Sequence, residues 1–195
     1  MISEKVSRET YEKLKLYKDL LLKWQKAVNL VSRETLRDVW NRHILDSLQT
    51  ASYISGKKVL DVGSGGGFPG MVLAITGKFS VTCVDSDRKK MLFLSEVARV
   101  TDTNVNIITS RIEDVKTGDF DTVCARGFSS LADLIEITSH FAGEGVFLKG
   151  ARLQDEIEKA QSSFCFQYKI HQSETDDRGK IIVVDSIKRK VSRET

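Results

Sequence analysis

The segment Asp61-Val62-Gly63-Ser64-Gly65-Gly66-Gly67-Phe68-Pro69-Gly70 constrains this chain most, because it follows a β-rich run and leads into a helical stretch. Glycines at such a turn let the backbone approach a nucleoside that any side chain would hold away. The spacing from Gly65 to Gly70 also satisfies Gly-x-Gly-x-x-Gly, so the loop by itself admits a dinucleotide as readily as another nucleoside.

After Gly56, β-rich runs alternate with helical stretches: Lys58 to Val62, Ser80 to Val84, Val105 to Ile108, Thr122 to Ala125 and Val146 to Lys149. Such alternation predicts a parallel sheet with helices on both faces. Cys165 to His171 and Lys180 to Ile187 are also strand-like but joined only by Ser173 to Gly179, so they should pair antiparallel. The expected fold is α/β and Rossmann-like, a mostly parallel seven-stranded sheet ending in an antiparallel hairpin. That is the layout of class I methyltransferases, whereas dinucleotide dehydrogenases usually continue in parallel.

Upstream, Tyr11, Leu14, Tyr17, Leu21, Trp24 and Val28 predict one helix between about Ser7 and Val28. A second helix is expected to begin at an N-cap Ser32, with Leu36, Val39, Trp40, His43, Ile44 and Leu48 on its apolar stripe. The chain thus divides into a helical extension at 1–55, a catalytic domain at 56–190 and a tail at 191–195. The pentapeptide Val-Ser-Arg-Glu-Thr recurs at 6–10, 31–35 and 191–195, too irregularly for a solenoid.

Composition excludes several classes. No apolar stretch approaches the roughly 20 residues of a membrane span. Cys83, Cys124 and Cys165 are odd in number and far apart, which offers neither a disulfide framework nor a Cys-x-x-Cys metal site. A cytoplasmic protein without metal is expected. The net charge of +3 permits an anionic partner without arguing for one.

Asp61, beside the loop, would repel a pyrophosphate but suits the ammonium of a methionine moiety, which favours S-adenosylmethionine over NAD. Asp85, ending the second strand, can take both ribose hydroxyls; the competing reading is an N-cap for a helix from about Arg88. Ile112 can pack on an adenine while Glu113 or nearby backbone accepts from its amine, against the alternative of a solvated acidic loop. Arg126, at the end of the fourth strand, either clamps the methionine carboxylate or holds a guanine O6 edge and a phosphate. Phe128 either stacks on a flipped base or belongs to the core. Cys124 reads as packing. His43 sits on an apolar stripe, where it contacts RNA or is a hydrogen-bonded structural residue. Lys149, Arg152, Lys188 and Arg189 are candidate phosphate contacts, while Arg88-Lys89-Lys90 also suits a solvated helix face.

These residues resemble the small-subunit ribosomal RNA methyltransferase G family, also called glucose-inhibited division protein B. The resemblance covers nearly the whole chain: Trp24, Asn29-Leu30, Arg42 to Leu48, Asp61 to Gly70, Asp85-Ser86, Phe93-Leu94, Arg111 with Glu113, Arg126 with Phe128, and Leu148-Lys149-Gly150. It implies transfer of a methyl group from S-adenosylmethionine, leaving S-adenosylhomocysteine, to N7 of guanine 527 in the 530 loop of bacterial 16S ribosomal RNA. Family cofactor contacts carry over to Gly63, Phe68, Ile112, Glu113 and Arg126, and Gly65 belongs to the same loop. Phe68 stands where the family more often has Leu, and Gly127 where Ala is usual. The substrate would be 16S RNA or a small-subunit particle, and nothing demands an oligomer.

The chemistry agrees with the absences. Guanine N7 carries a free lone pair at neutral pH, so its attack needs positioning and no general base. Pro69 is the only proline, which excludes the Asn-Pro-Pro-Tyr motif of amino methyltransferases and the Pro-Cys nucleophile of cytosine-C5 enzymes. Competing readings are a methyltransferase for another RNA or a small molecule, an NAD(P)-binding protein and a nonenzymatic RNA-binding module.

Overall fold

The computed structural model describes residues 6–116 and 118–190. The expected tail at 191–195, with the third pentapeptide, lies outside them.

The first two pentapeptides share one local structure. Ser7 caps helix α1 (Arg8–Trp24), its Oγ accepting from the Thr10 N–H at 3.1 Å, and the two hydroxyls bond at 3.0 Å. Ser32 accepts from Thr35 N–H at 3.4 Å, again with hydroxyls 3.0 Å apart. Ser7 thereby caps α1, whereas the turn after Ser32 has Glu34 at its cap position with no side-chain cap bond, so the N-cap expected at Ser32 is not formed.

Helix α1 stops short of Val28, because Gln25 turns the chain: its Oε1 accepts from Leu30 N–H at 2.9 Å and Val31 N–H at 3.1 Å. The expected second helix is not one regular α-helix. It runs as a 3-10 turn at Thr35–Asp38, a π turn at Trp40–Leu45, a short α2 (Asp46–Leu48) and a 3-10 turn at Gln49–Ser52. The Asp46 N–H bonds back five residues to Asn41, and Arg126 donates to the bypassed Arg42 carbonyl at 3.1 Å. A side chain inserted into the ladder is a recognised cause of such irregularity.

Strands β1 (Lys58–Val62), β2 (Ser80–Asp85), β3 (Asn106–Thr109), β4 (Thr122–Arg126) and β5 (Glu144–Lys149) are parallel. They are interleaved with α3 (Gly70–Ile75), α4 (Arg88–Val100) and α5 (Leu131–Phe141). After α6 (Leu153–Ser163), β6 (Phe164–Gln172) and β7 (Lys180–Arg189) pair antiparallel, and β7 also lies antiparallel to β5. The sheet order is β3-β2-β1-β4-β5-β7-β6.

Alternation sends neighbouring strand residues to different cores. Val59 joins Leu14, Tyr17, Leu21, Met71 and Phe93 on one face; Leu60 joins Leu134, Ile157 and Phe164 on the other. Helix α1 therefore shares its core with the sheet, α3 and α4. Cys83 and Cys124 are buried, while Cys165 is exposed.

Candidate active site

The glycine loop is anchored to the strand beside it. The N–H groups of Gly63 and Ser64 donate to the Val84 carbonyl at 2.9 and 3.1 Å. The Gly65 N–H donates to Asp85 Oδ2 at 2.8 Å, while Asp85 Oδ1 accepts from Asp87 N–H at 2.8 Å. Asp87, not Asp85, caps α4, through Lys89 and Lys90 N–H at 2.9 and 3.3 Å. This removes the capping alternative for Asp85.

Gly63, Asp85, Ser86, Arg111, Ile112 and Glu113 line a cavity of about 320 Å³ at the carboxyl ends of β1, β2 and β3. Ile112 is buried and Glu113 exposed. Phe128 forms another wall and lies so close over Gly63 that a Cβ there would collide with its ring. Phe128 is 43% exposed, so the core reading fails. It also lines a second cavity of about 800 Å³ with Ser130, Leu148, Lys149, Arg152 and Asp155.

Asp61 is fully buried. Its Oδ2 accepts from Gly70 N–H at 3.2 Å, and Oδ1 has no partner. Burial pushes its carboxyl up to about 7 against the opposing pull of Ser64 and Gly70.

Arg126 leaves β4 toward the N-terminal segment. Besides its bond to the Arg42 carbonyl, its Nη2 donates to His43 Nδ1 at 2.6 Å, and Asp46 Oδ2 lies 3.8 Å from Nη1. The guanidinium stacks 4.6 Å over the Phe68 ring. Since a guanidinium only donates, His43 Nδ1 carries no proton and Nε2–H donates to Thr35 Oγ1 at 2.8 Å. Burial, then Arg126 and Arg42, lower the His43 pKa to about 3.

Several other candidates have different surroundings from those expected. His43 is buried, with both nitrogens engaged and none free for RNA. Lys149 turns inward, donating to the Ser129 carbonyl at 2.7 Å and to Glu156 Oε2 at 2.6 Å, so it braces the loop after β4. Phe68 packs between Tyr17 and His43, with ring centroids 5.4 and 5.0 Å away, supporting the glycine loop from beneath instead of lining the cavity. Lys188 and Arg189 lie beyond the Asp185–Glu144 register, toward the amino ends of the parallel strands and away from the cavity, because β7 runs antiparallel. Arg189 pairs there with Glu136 at 2.9 Å.

Two residues not singled out for the site help to build it. The Tyr17 hydroxyl donates to the Gly66 carbonyl. Asp46 Oδ1 collects donors from Gln49, Ser173 and Thr175 at 2.8, 2.9 and 2.9 Å, tying the β6–β7 turn to the segment that holds Arg126. Tyr17 was visible only as a core position, and Asp46 only as part of the 42–48 motif.

A sheet of this order, with a glycine loop after β1 and a carboxylate ending β2, defines the Rossmann-like class I methyltransferase fold. A solved magnesium protoporphyrin IX methyltransferase from Synechocystis shares it, with a TM-score of 0.60 and 14% identity over 87% of this chain and 96% of that one. Residues 10–183 match the family model described as rRNA small subunit methyltransferase G. Relatives named Ribosomal RNA small subunit methyltransferase G are 42% identical in Rhodospirillum rubrum, covering 94% of each chain, and 40% identical in Rickettsia felis, covering 93% of this chain and 96% of that one. The chain belongs to the rRNA small subunit methyltransferase G family and is an rRNA methyltransferase.

Proposed function

We propose that this enzyme methylates N7 of a guanine in 16S ribosomal RNA, guanine 527 of the 530 loop, with S-adenosylmethionine as donor. The observation that carries this reading is the pairing of two cavities across Phe128, one beside the Asp85-anchored glycine loop and one at the ends of β4 and β5. Ligands of open α/β sheets bind at such carboxyl ends.

The residues present fit the cofactor. Asp85 would take the ribose hydroxyls, Ile112 the adenine face and Glu113 its amine. The unpartnered Oδ1 of Asp61 leaves an oxygen lone pair beneath the loop that receives the ammonium. When bound, S-adenosylmethionine supplies an electrophilic methyl group.

The chain's own work is orientation. Phe128 stacks the acceptor base, Arg126 holds an anionic group at the methionine end, and Arg152 in the second cavity meets a phosphate. No side chain need remove a proton, because N7 presents its lone pair directly. Naked RNA or a small-subunit particle serves as substrate, the protein acts in the cytoplasm, and residues 1–55 extend the catalytic domain at 56–190.

Labelled methyl transfer to naked small-subunit RNA and to small-subunit particles, both from a strain lacking the modification, followed by mapping, tests the reading. Label on the N7 of guanine 527 supports it; label on another atom or nucleotide, or no label, refutes it.

A further inference from the structure

Arg126 is supplied by β4, yet what orients its guanidinium comes from the irregular segment before the sheet: the Arg42 carbonyl, His43 Nδ1 and, more distantly, Asp46. We infer that His43 is a positioning residue for methyl transfer, its unprotonated Nδ1 fixing the direction in which Arg126 presents its remaining N–H donors. The inference rests on the proposed role of Arg126 at the site.

The choice of a neutral acceptor has a physical reason. A guanidinium offers five N–H donors, so whatever orients it must supply lone pairs. A carboxylate in direct contact would compete with the anionic ligand, whereas an imidazole lone pair directs the group and leaves its charge available. Asp46 stands 3.8 Å away with its Oδ1 taken by Gln49, Ser173 and Thr175, and Asp61 acts on Arg126 through its charge without a direct contact among the described residues. Thr35 fixes the tautomer by accepting from Nε2–H, and Phe68 closes one face of the guanidinium.

Two near-isosteric substitutions separate orientation from bulk. Asparagine places its carbonyl oxygen where Nδ1 sits, while glutamine places its amide near Nε2 and keeps only the contact toward Thr35. His43→Ala and His43→Gln should raise KM for S-adenosylmethionine about tenfold, the worth of one charge-assisted hydrogen bond. His43→Asn should restore most of that loss, with the Asn and Gln variants unfolding at the same temperature. Equal KM values for the Asn and Gln variants would overturn the inference. A fully active Arg126→Ala would overturn the role of Arg126 and this inference with it; an inactive Arg126→Ala beside a His43→Gln of ordinary KM would overturn this inference alone.

Discussion

The Tyr17 hydroxyl donates to the main-chain carbonyl of Gly66, so the N-terminal helix holds the loop on which the cofactor would lie. Gly67 is packed against the same ring: a Cβ there would come within 2.6 Å of the Tyr17 oxygen. Helix α1 therefore braces the glycine loop from behind without itself lining the cavity.

Tyr17→Phe leaves the buried Gly66 carbonyl without this partner. The expected cost is about 1–3 kcal/mol of folding stability, with weaker binding of S-adenosylhomocysteine. Denaturant unfolding with and without that ligand measures both, and an unchanged midpoint would refute the bracing role.

Asp85→Asn replaces one of two accepting oxygens by an amide that can only donate, opposite Gly65 N–H or Asp87 N–H. Loss of a hydrogen bond to a charged group, about 1.5–3 kcal/mol, should weaken S-adenosylhomocysteine binding roughly 10- to 100-fold. Calorimetric titration reads this directly.

Asp61 and His43 should give stability opposite pH dependences. Asp61 is raised from 3.8 to about 7, so between these values the unfolded chain has lost a proton that the folded one keeps, and stability falls as pH rises. His43 is lowered from 6.5 to about 3, so the unfolded chain gains a proton that the folded one refuses, and stability falls as pH drops through that range. In wild type the two slopes oppose each other below pH 6.5. Asp61→Asn should expose a stability that rises with pH up to about 6.5, and His43→Asn one that falls up to about 7. Denaturant unfolding between pH 4 and 8 checks both signs.

The basic candidates should separate by function. Lys149→Met breaks the partly buried contact with Glu156 and should cost about 1.5–3 kcal/mol of stability, with little change in the salt dependence of RNA binding. Arg152→Ala should reduce the slope of log affinity against log salt by about one unit. Lys188→Ala, away from the cavity, should leave that slope unchanged. Filter binding over a salt series distinguishes the three.

The order of elements, the glycine loop and the terminal hairpin were legible because each is written in contiguous residues. Val59 and Leu60 show their alternation locally, and Ser7 caps α1 through a residue only three positions away. Asp85 was equally readable, since its partner Gly65 belongs to a motif that already implied a carboxylate beside it.

Tertiary structure alone decided the partners of the polar side chains around the site. His43 and Arg126 are separated by 83 positions, and no periodicity reports that one accepts from the other. The π turn at Trp40–Leu45 accompanies that contact, which a stripe of apolar residues read as a regular helix. Lys149 looked like a phosphate contact until α6 brought Glu156 to within 2.6 Å. Lys188 did too, until antiparallel pairing carried it away from the cavity. Hydrophobic period and capping act over a few residues and survive in the sequence; the partner of a buried charge is set by chain segments that meet only once the sheet has formed.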